Sequence, residues 1–329
     1  MAPFFYHPRM LRYNFGPQHP LRPERLRRTI ELLGAFGVEP TDPGEGTIED
    51  PLRVHSAEYV EAVENADGLS YAEANRFGFA TQDTPRFTGM FEASLAYTAG
   101  SVCAAEAVRD GAMLAISLSG GLHHAQRSNA SGFCVFNDCA VAIHILREKF
   151  KKVAYVDIDV HHGDGVQAIF YEDPTVLTCS IHQDGRTLYP GTGFPSESGA
   201  ANSSVNVPLW PGASPSGWHS AFRDGIVPAI QEFKPEAIVL QMGTDSHFLD
   251  PLARIENDAQ TWLEAVKDVK ALGLPTVALG GGGYEITTVP RMWAAATLTL
   301  MDVPVPKNVP EPFGSTWGMP RFMDGEGRG

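Results

Sequence analysis

Residues 153–170 read VAYVDIDVHHGDGVQAIF, and the opening six decide the fold class. They form a short, almost continuously apolar run with no polar face, which fits a strand buried on both sides, as in a parallel sheet. Four other runs have the same character: residues 113–118 (MLAISL), 176–181 (VLTCSI), 237–241 (AIVLQ) and 276–279 (TVAL). Helix-like stretches over 137–150, 215–233, 257–272 and 286–300 alternate with them, and two more are expected upstream over 22–36 and 89–109. Strand, loop and helix in alternation imply right-handed crossovers and a wound α/β sheet.

The chain of 329 residues is long enough for one large α/β domain, and 43% of its residues are hydrophobic. Four cysteines exclude a disulfide scaffold, so free thiols are expected. No apolar run approaches the roughly 20 residues of a membrane helix. The opening MAPFFYHP lacks the basic and apolar regions of a signal peptide, so a cytoplasmic location is expected. With 25 Lys and Arg against 39 Asp and Glu, the net charge of -14 argues against direct nucleic-acid binding. The Pro-rich tail VPVPKNVPEPFGSTWGMPRF, from Val303 onward, reads as an extended surface segment. The expected division is therefore one domain over 1–302 and an extension over 303–329.

In a parallel sheet, ligands gather beyond the carboxyl ends of the strands. Those ends carry SGGLHH (Ser119 to His124), DIDVHHGD (Asp157 to Asp164), GTDSHFLD (Gly243 to Asp250) and GGGGY (Gly280 to Tyr284). Five of the eleven histidines fall within residues 123–164, which buried structural histidines alone do not explain. Asp159 and His161 are two apart, so on an extended strand end they project to the same side. Asp245, beyond another strand, completes a set of one imidazole and two carboxylates. Three protein ligands with an open position suit a catalytic Zn²⁺, and the same set can hold Fe²⁺. His123 and His124 can each take a carboxylate, Asp157 or Asp164, at the far ring nitrogen. Two such dyads beside a metal supply a general base and a second proton-handling group. Tyr284, after four glycines, offers a phenol to a developing oxyanion. The glycines lack the spaced GxGxxG of a nucleotide loop.

The remaining polar features have plainer readings. Cys103, Cys134, Cys139 and Cys179 are expected as small buried hydrophobes. His144 and Glu148, four apart on a helix, are expected to pair in solvent. RPERLRR (Arg22 to Arg28) reads as an exposed helix face.

Taken together, GGLHHAQRSNASGFCVFND (120–138), VDIDVHHGDGVQAIFY (156–171), YPGTG (189–193), GTDSHFLDPLA (243–253) and LGGGGY (279–284) resemble the zinc-dependent histone deacetylase family. The sequence GTDSHFLDPLARI carries its strongest likeness, to the bacterial acetoin-utilisation deacetylases. The resemblance implies a single-domain arginase/deacetylase fold, with a central, mostly parallel sheet of about eight strands flanked by helices. It implies Zn²⁺ on Asp159, His161 and Asp245, with His124 (paired to Asp164) as base and His123 (paired to Asp157) as its electrostatic partner. Tyr284 would hold the oxyanion. Gly132, Phe133, Tyr189 and Leu252 would line the acyl-lysine tunnel, and Asp83 the rim that holds the substrate backbone. Tyr189 stands where many relatives carry Phe. Arg25 matches an arginine near an internal acetate channel. Asp157 and Ser180, with the chain around Asp159, His161 and Ile181, resemble a structural K⁺ site. The implied reaction removes an acetyl or short acyl group from a lysine side chain of an acetylated protein or peptide. The alternative is the same chemistry on acetylpolyamines or other small N-acyl amines.

Overall fold

The computed structural model describes residues 2–325. Among them six parallel strands form one sheet: β1 (Leu114–Ser117), β2 (Val153–Asp157), β3 (Val176–Gln183), β4 (Ser204–Leu209), β5 (Ala237–Gln241) and β6 (Thr276–Leu279). Their order is β1-β6-β5-β2-β3-β4. All five expected strands are present, but the sheet has six strands rather than about eight. The shortfall lies beyond β1, where two chain segments add only single bridges, Phe4 to Ile116 and Phe5 to Thr41.

Side-chain alternation explains why these runs are apolar throughout. Ala154, Val156, Ile238 and Leu240 bury into one core, while Val153, Tyr155, Ala237 and Val239 bury into the other. The central strands β2 and β5 thus each serve two helical layers, which removes the polar positions that a half-exposed strand would keep. The helix Met90–Arg109 is buried along most of its length. Its small residues permit that closeness: a methyl group at Gly100 would lie 2.4 Å from Ser117 Oγ.

The helix Asp138–Leu146 starts where Asn137 Oδ1 accepts the Ala140 N–H at 2.9 Å. Asp258 caps Ala259–Ala271 in the same way, through Thr261 N at 2.8 Å. The stretch 215–233 is helical in two parts, Pro215–Ala221 and Val227–Phe233, joined by one wide turn. Pro228 has no N–H to return to the turn before it, which accounts for the interruption.

The tail corrects the expectation of an extended surface segment. Val309, Met319 and Phe322 are buried in the main core, and Phe313–Trp317 forms a short helix. Asp324 accepts hydrogen bonds from His247 Nε2 at 2.9 Å, Arg291 Nη2 at 2.6 Å and Ala259 N at 2.8 Å. Composition suggests extension, but three buried apolar residues and one inward carboxylate dock the segment.

Candidate active site

β2 and β5 are neighbours, and their connections run to opposite sides of the sheet, toward β3 and β6 respectively. The crevice beyond their carboxyl ends is where a wound sheet opens. Two buried indoles fix the backbone leaving β5: Trp293 Nε1 donates to Met242 O and Trp262 Nε1 to Gly243 O, each at 2.7 Å. These tryptophans lie in the main core, and they also set the path toward Asp245.

Asp159, His161 and Asp245 meet at this crevice. His161 Nδ1 lies 3.2 Å from Asp159 Oδ1 and 3.1 Å from Asp245 Oδ2. One donor atom from each falls within 4.8 Å of the others. Both carboxylates are almost wholly buried, at 1% and 0% exposure. Two buried anions this close demand a positive charge. Burial opposes charge on His161, yet hydrogen bonds to Asp159 and Asp245 lift its pKa to about 10. Burial, then the charge of Asp159, pushes Asp245 upward. An N/O/O donor set fits Zn²⁺ or Fe²⁺, and a cation in that position would relieve the same electrostatic demand.

The carboxylates are held from behind. Asp159 Oδ2 accepts from Gln241 Nε2 at 2.8 Å and Gly282 N at 2.7 Å, and Asp245 Oδ1 accepts from Val160 N at 2.8 Å. Gly282 has to be glycine, since a methyl there would lie 2.1 Å from Asp245 Oδ2. Gln241 had gone unremarked in the sequence, although a polar residue closing the run AIVLQ was the available signal.

Both expected His–Asp dyads form. His123 Nδ1 lies 2.7 Å from Asp157 Oδ2, and His124 Nδ1 lies 2.6 Å from Asp164 Oδ1. The two Nε2 atoms face each other at 3.0 Å, so one proton between them satisfies both. Burial disfavours charge on both rings. Asp157 and Asp159 outweigh it at His123, whose pKa rises to about 9. At His124 burial and the neighbouring His123 bring the value down to about 4. His123 therefore carries the proton, and His124 is the neutral imidazole. Tyr155 OH donates to Asp157 at 2.8 Å and Gln126 Nε2 to Asp164 at 2.8 Å, which fixes both acids.

Tyr284 closes one side. Burial, then Asp245 and Asp159, holds its phenol well above the usual value, so it stays a donor. Asp250 carries both Tyr284 N, at 2.7 Å, and Leu252 N, at 3.0 Å. Arg25 is buried and donates to Gly281 O and Gly283 O, both at 2.8 Å. That corrects the reading of RPERLRR as wholly exposed, while Arg27 and Arg28 do pair with Glu24 near solvent.

Phe133 adopts a left-handed backbone, φ 68°, stabilised by Thr84 Oγ1 on its N–H at 3.0 Å and Tyr13 OH on its carbonyl at 2.7 Å. Its ring meets Tyr284 edge-on at 5.6 Å and His19 at 4.5 Å. His19 in turn binds the carbonyl of the exposed Asp83 at 3.0 Å. Tyr189 stands over His124 with centroids 5.0 Å apart, and its hydroxyl lies 2.5 Å from Ser131 Oγ. Gly132 sits between those rings: a methyl there would be 2.4 Å from His124 and 2.9 Å from Tyr189. Tyr13, His19, Thr84 and Asp250 were missed as supports. Asp157 and Ser180 are register partners on β2 and β3, and Ser180 Oγ lies 2.8 Å from His182 Nδ1.

Other polar features resolve simply. Cys134, Cys139 and Cys179 are buried, Cys103 is half-buried, and all four are free. Burial raises their pKa values, which argues against a thiolate nucleophile. Glu148 does not pair with His144; it lies past the helix end and binds Arg53 and Arg109, each at 2.8 Å.

A model of the histone deacetylase domain matches residues 19–300. The acetoin utilization protein AcuC of Bacillus subtilis is 36% identical over 331 residues, covering 95% of this chain and 86% of that protein. Histone deacetylase clr6 of Schizosaccharomyces pombe is 36% identical over 93% of this chain and 78% of its own length. Human histone deacetylase 1 is 35% identical over 93% of this chain and 66% of its own length.

Proposed function

The chain belongs to the histone deacetylase family and is a hydrolytic deacetylase, and we propose that it removes acetyl or short acyl groups from the Nε-amine of lysine in proteins or peptides. The observation that carries this reading is the arrangement of two opposed His–Asp dyads beside Asp159, His161 and Asp245. We assign the metal to those three residues, as Zn²⁺ with Fe²⁺ the alternative. A divalent ion so held supplies carbonyl polarisation and activation of water.

The chain's own groups do the rest. His124, neutral and oriented by Asp164, takes the water proton at Nε2 as the His123 Nε2–H turns from that nitrogen toward the developing negative charge. His123, charged and held by Asp157, stabilises the negative charge that develops opposite it. Tyr284 donates its O–H to the carbonyl oxygen as that oxygen becomes an oxyanion. The proton collected at His124 goes to the departing amine as the C–N bond breaks. Gly132, Phe133, Tyr189 and Leu252 form the walls that admit an extended alkylamine, and Asp83 holds the substrate backbone at the rim. We place a structural K⁺ beside Asp157 and Ser180, supported by their adjacency across β2 and β3. We further propose that residues 1–302 form the deacetylase domain proper and 303–329 an extension, of which the described part packs against that domain, and that the protein works in the cytoplasm.

The deciding assay compares acetyl-lysine peptides with acetylpolyamines at matched concentration, with and without a chelator. Peptide turnover that disappears on chelation and returns with Zn²⁺ or Fe²⁺ is expected. Turnover of acetylpolyamines alone would transfer the same chemistry to small N-acyl amines.

A further inference from the structure

A cavity of about 440 Å³ lies beside the mouth of the site, lined by Gln183, Thr187, Leu188, Leu252, Arg254 and Pro211 among others. Its size falls within the range of small-molecule sites, so it can receive one or two amino-acid side chains. It shares walls with the proposed tunnel on two sides. Leu252 lines the cavity and also packs, as Phe133 does, against the cluster that holds Tyr284. Leu188 lines it and directly precedes Tyr189, whose ring stands over His124.

The floor of this cavity is held in shape. Gln183 Oε1 accepts the Arg254 N–H at 2.8 Å, and Gln183 Nε2 donates to Thr187 Oγ1 at 3.1 Å. The Arg254 carbonyl accepts the Gly212 N–H at 2.6 Å, which joins the far wall. The Arg254 side chain is different. It is exposed, and among the described residues no carboxylate lies within ion-pair distance of its guanidinium. The nearby Arg186 is already paired with Asp184 and lies 4.8 Å over the exposed Trp210 ring. On a chain of net charge -14, Arg254 is the one cation among the residues that line this cavity, and it is unpaired.

We propose that this cavity is a substrate subsite for a residue flanking the acyl-lysine, and that Arg254 selects an acidic side chain there. The occupant is the substrate peptide itself, because the cavity continues from the tunnel wall and its free charge is opposite to a carboxylate. The apolar walls from Leu188, Leu252 and Pro211 take the methylene stem, and the guanidinium takes the carboxylate in a paired geometry that an ammonium cannot match. The inference rests on the acyl-lysine reading above and adds the sequence context that the enzyme selects.

The test uses the metal-loaded full chain and a set of acetyl-lysine peptides carrying Glu or Lys at each of three positions on either side. The expected result is one position where Glu exceeds Lys about tenfold in kcat/KM, a ratio that shrinks as salt is raised. Arg254→Ala should bring that ratio to within about twofold, and Arg254→Glu should invert it. Inversion is an outcome that misfolding does not produce. Peptides turned over with no charge preference, or a preference that survives Arg254→Glu, overturn the subsite while leaving the acyl-lysine reading intact. No turnover of any acetyl-lysine peptide, with acetylpolyamines still cleaved, overturns the reading and the subsite with it.

Discussion

Asp157, Asp159, Gln241 and Asp245 sit at or just beyond the ends of two adjacent strands, whereas Asp83, Gly132, Phe133, Tyr189 and Leu252 sit on four separate loops. The first group takes its positions from the sheet: β2 and β5 pair in register up to Asp157 and Gln241. The second group takes its positions from side chains far away in sequence, such as Tyr13 on the Phe133 carbonyl and His19 on the Asp83 carbonyl. Floor and mouth therefore differ in what a substitution disturbs. A change at the floor removes chemistry while the cleft keeps its shape. A change at the mouth leaves the chemistry and alters what enters.

The largest effect expected from that contrast is at the metal ligands. Asp245→Ala should abolish stoichiometric metal by elemental analysis and reduce turnover to background. The folded chain should persist, since Val160 N loses only one hydrogen-bond acceptor. Full activity without bound metal would sever the floor from the reaction. Next come the groups that handle protons and charge. His124→Ala should lower kcat by about 10²- to 10⁴-fold, and Tyr284→Phe by about 10²- to 10³-fold. Both variants should keep their metal, and near-normal kcat in either would remove that residue from the mechanism.

Why the floor could be read in advance, and the mouth hardly at all, follows from how each is built. A strand buried on both faces has to be apolar throughout, so β2 and β5 stand out, and the charged residues at their ends stand out against them. β4 was missed because SVNVPL is half-exposed, lies at the sheet edge and contains Pro208, which lacks a ladder donor. Without the family resemblance, nothing in the local sequence marks Phe133 or Tyr189 as wall residues. Their supports lie up to 120 positions away, as with Tyr13 and Phe133. Arg25 shows the same limit, since its neighbours pair with acids near solvent while it alone reaches the glycine loop 258 residues on.

Between floor and mouth runs the segment 120–137, and its anchor gives a pH test. His55 Nδ1 donates to Gln126 O at 3.0 Å, and its Nε2 accepts the Asn137 N–H at 2.9 Å. That ring has to be neutral, and burial brings its pKa down to about 4 from an ordinary 6.5. The unfolded chain therefore binds the proton more readily, so stability is fully present above pH 6.5 and falls as pH drops toward 4. The contribution from His55 is about 3 kcal/mol over that window. Chemical denaturation from pH 7 to 4 should show the loss. A His55→Gln variant, uncharged throughout, should start less stable and lose less. An equal pH slope in both proteins would remove His55 from the account.

The smallest effect belongs to the mouth and tests the comparison most sharply, because it should alter selection with the chemistry left in place. Tyr189 is pinned by its hydroxyl to Ser131 while its ring covers His124. Tyr189→Phe keeps the ring and removes the pin, so the wall is free to move away from the dyad. A single hydrogen bond contributes about 0.5–1.5 kcal/mol net, which sets the change in selectivity at about twofold to tenfold. The ratio of kcat/KM for a butyryl-lysine peptide over its acetyl counterpart should rise by that factor, with metal content unchanged. An equal loss on both peptides would instead place Tyr189 with the proton-handling groups of the floor, and the division between floor and mouth would then fail at the one residue that touches both.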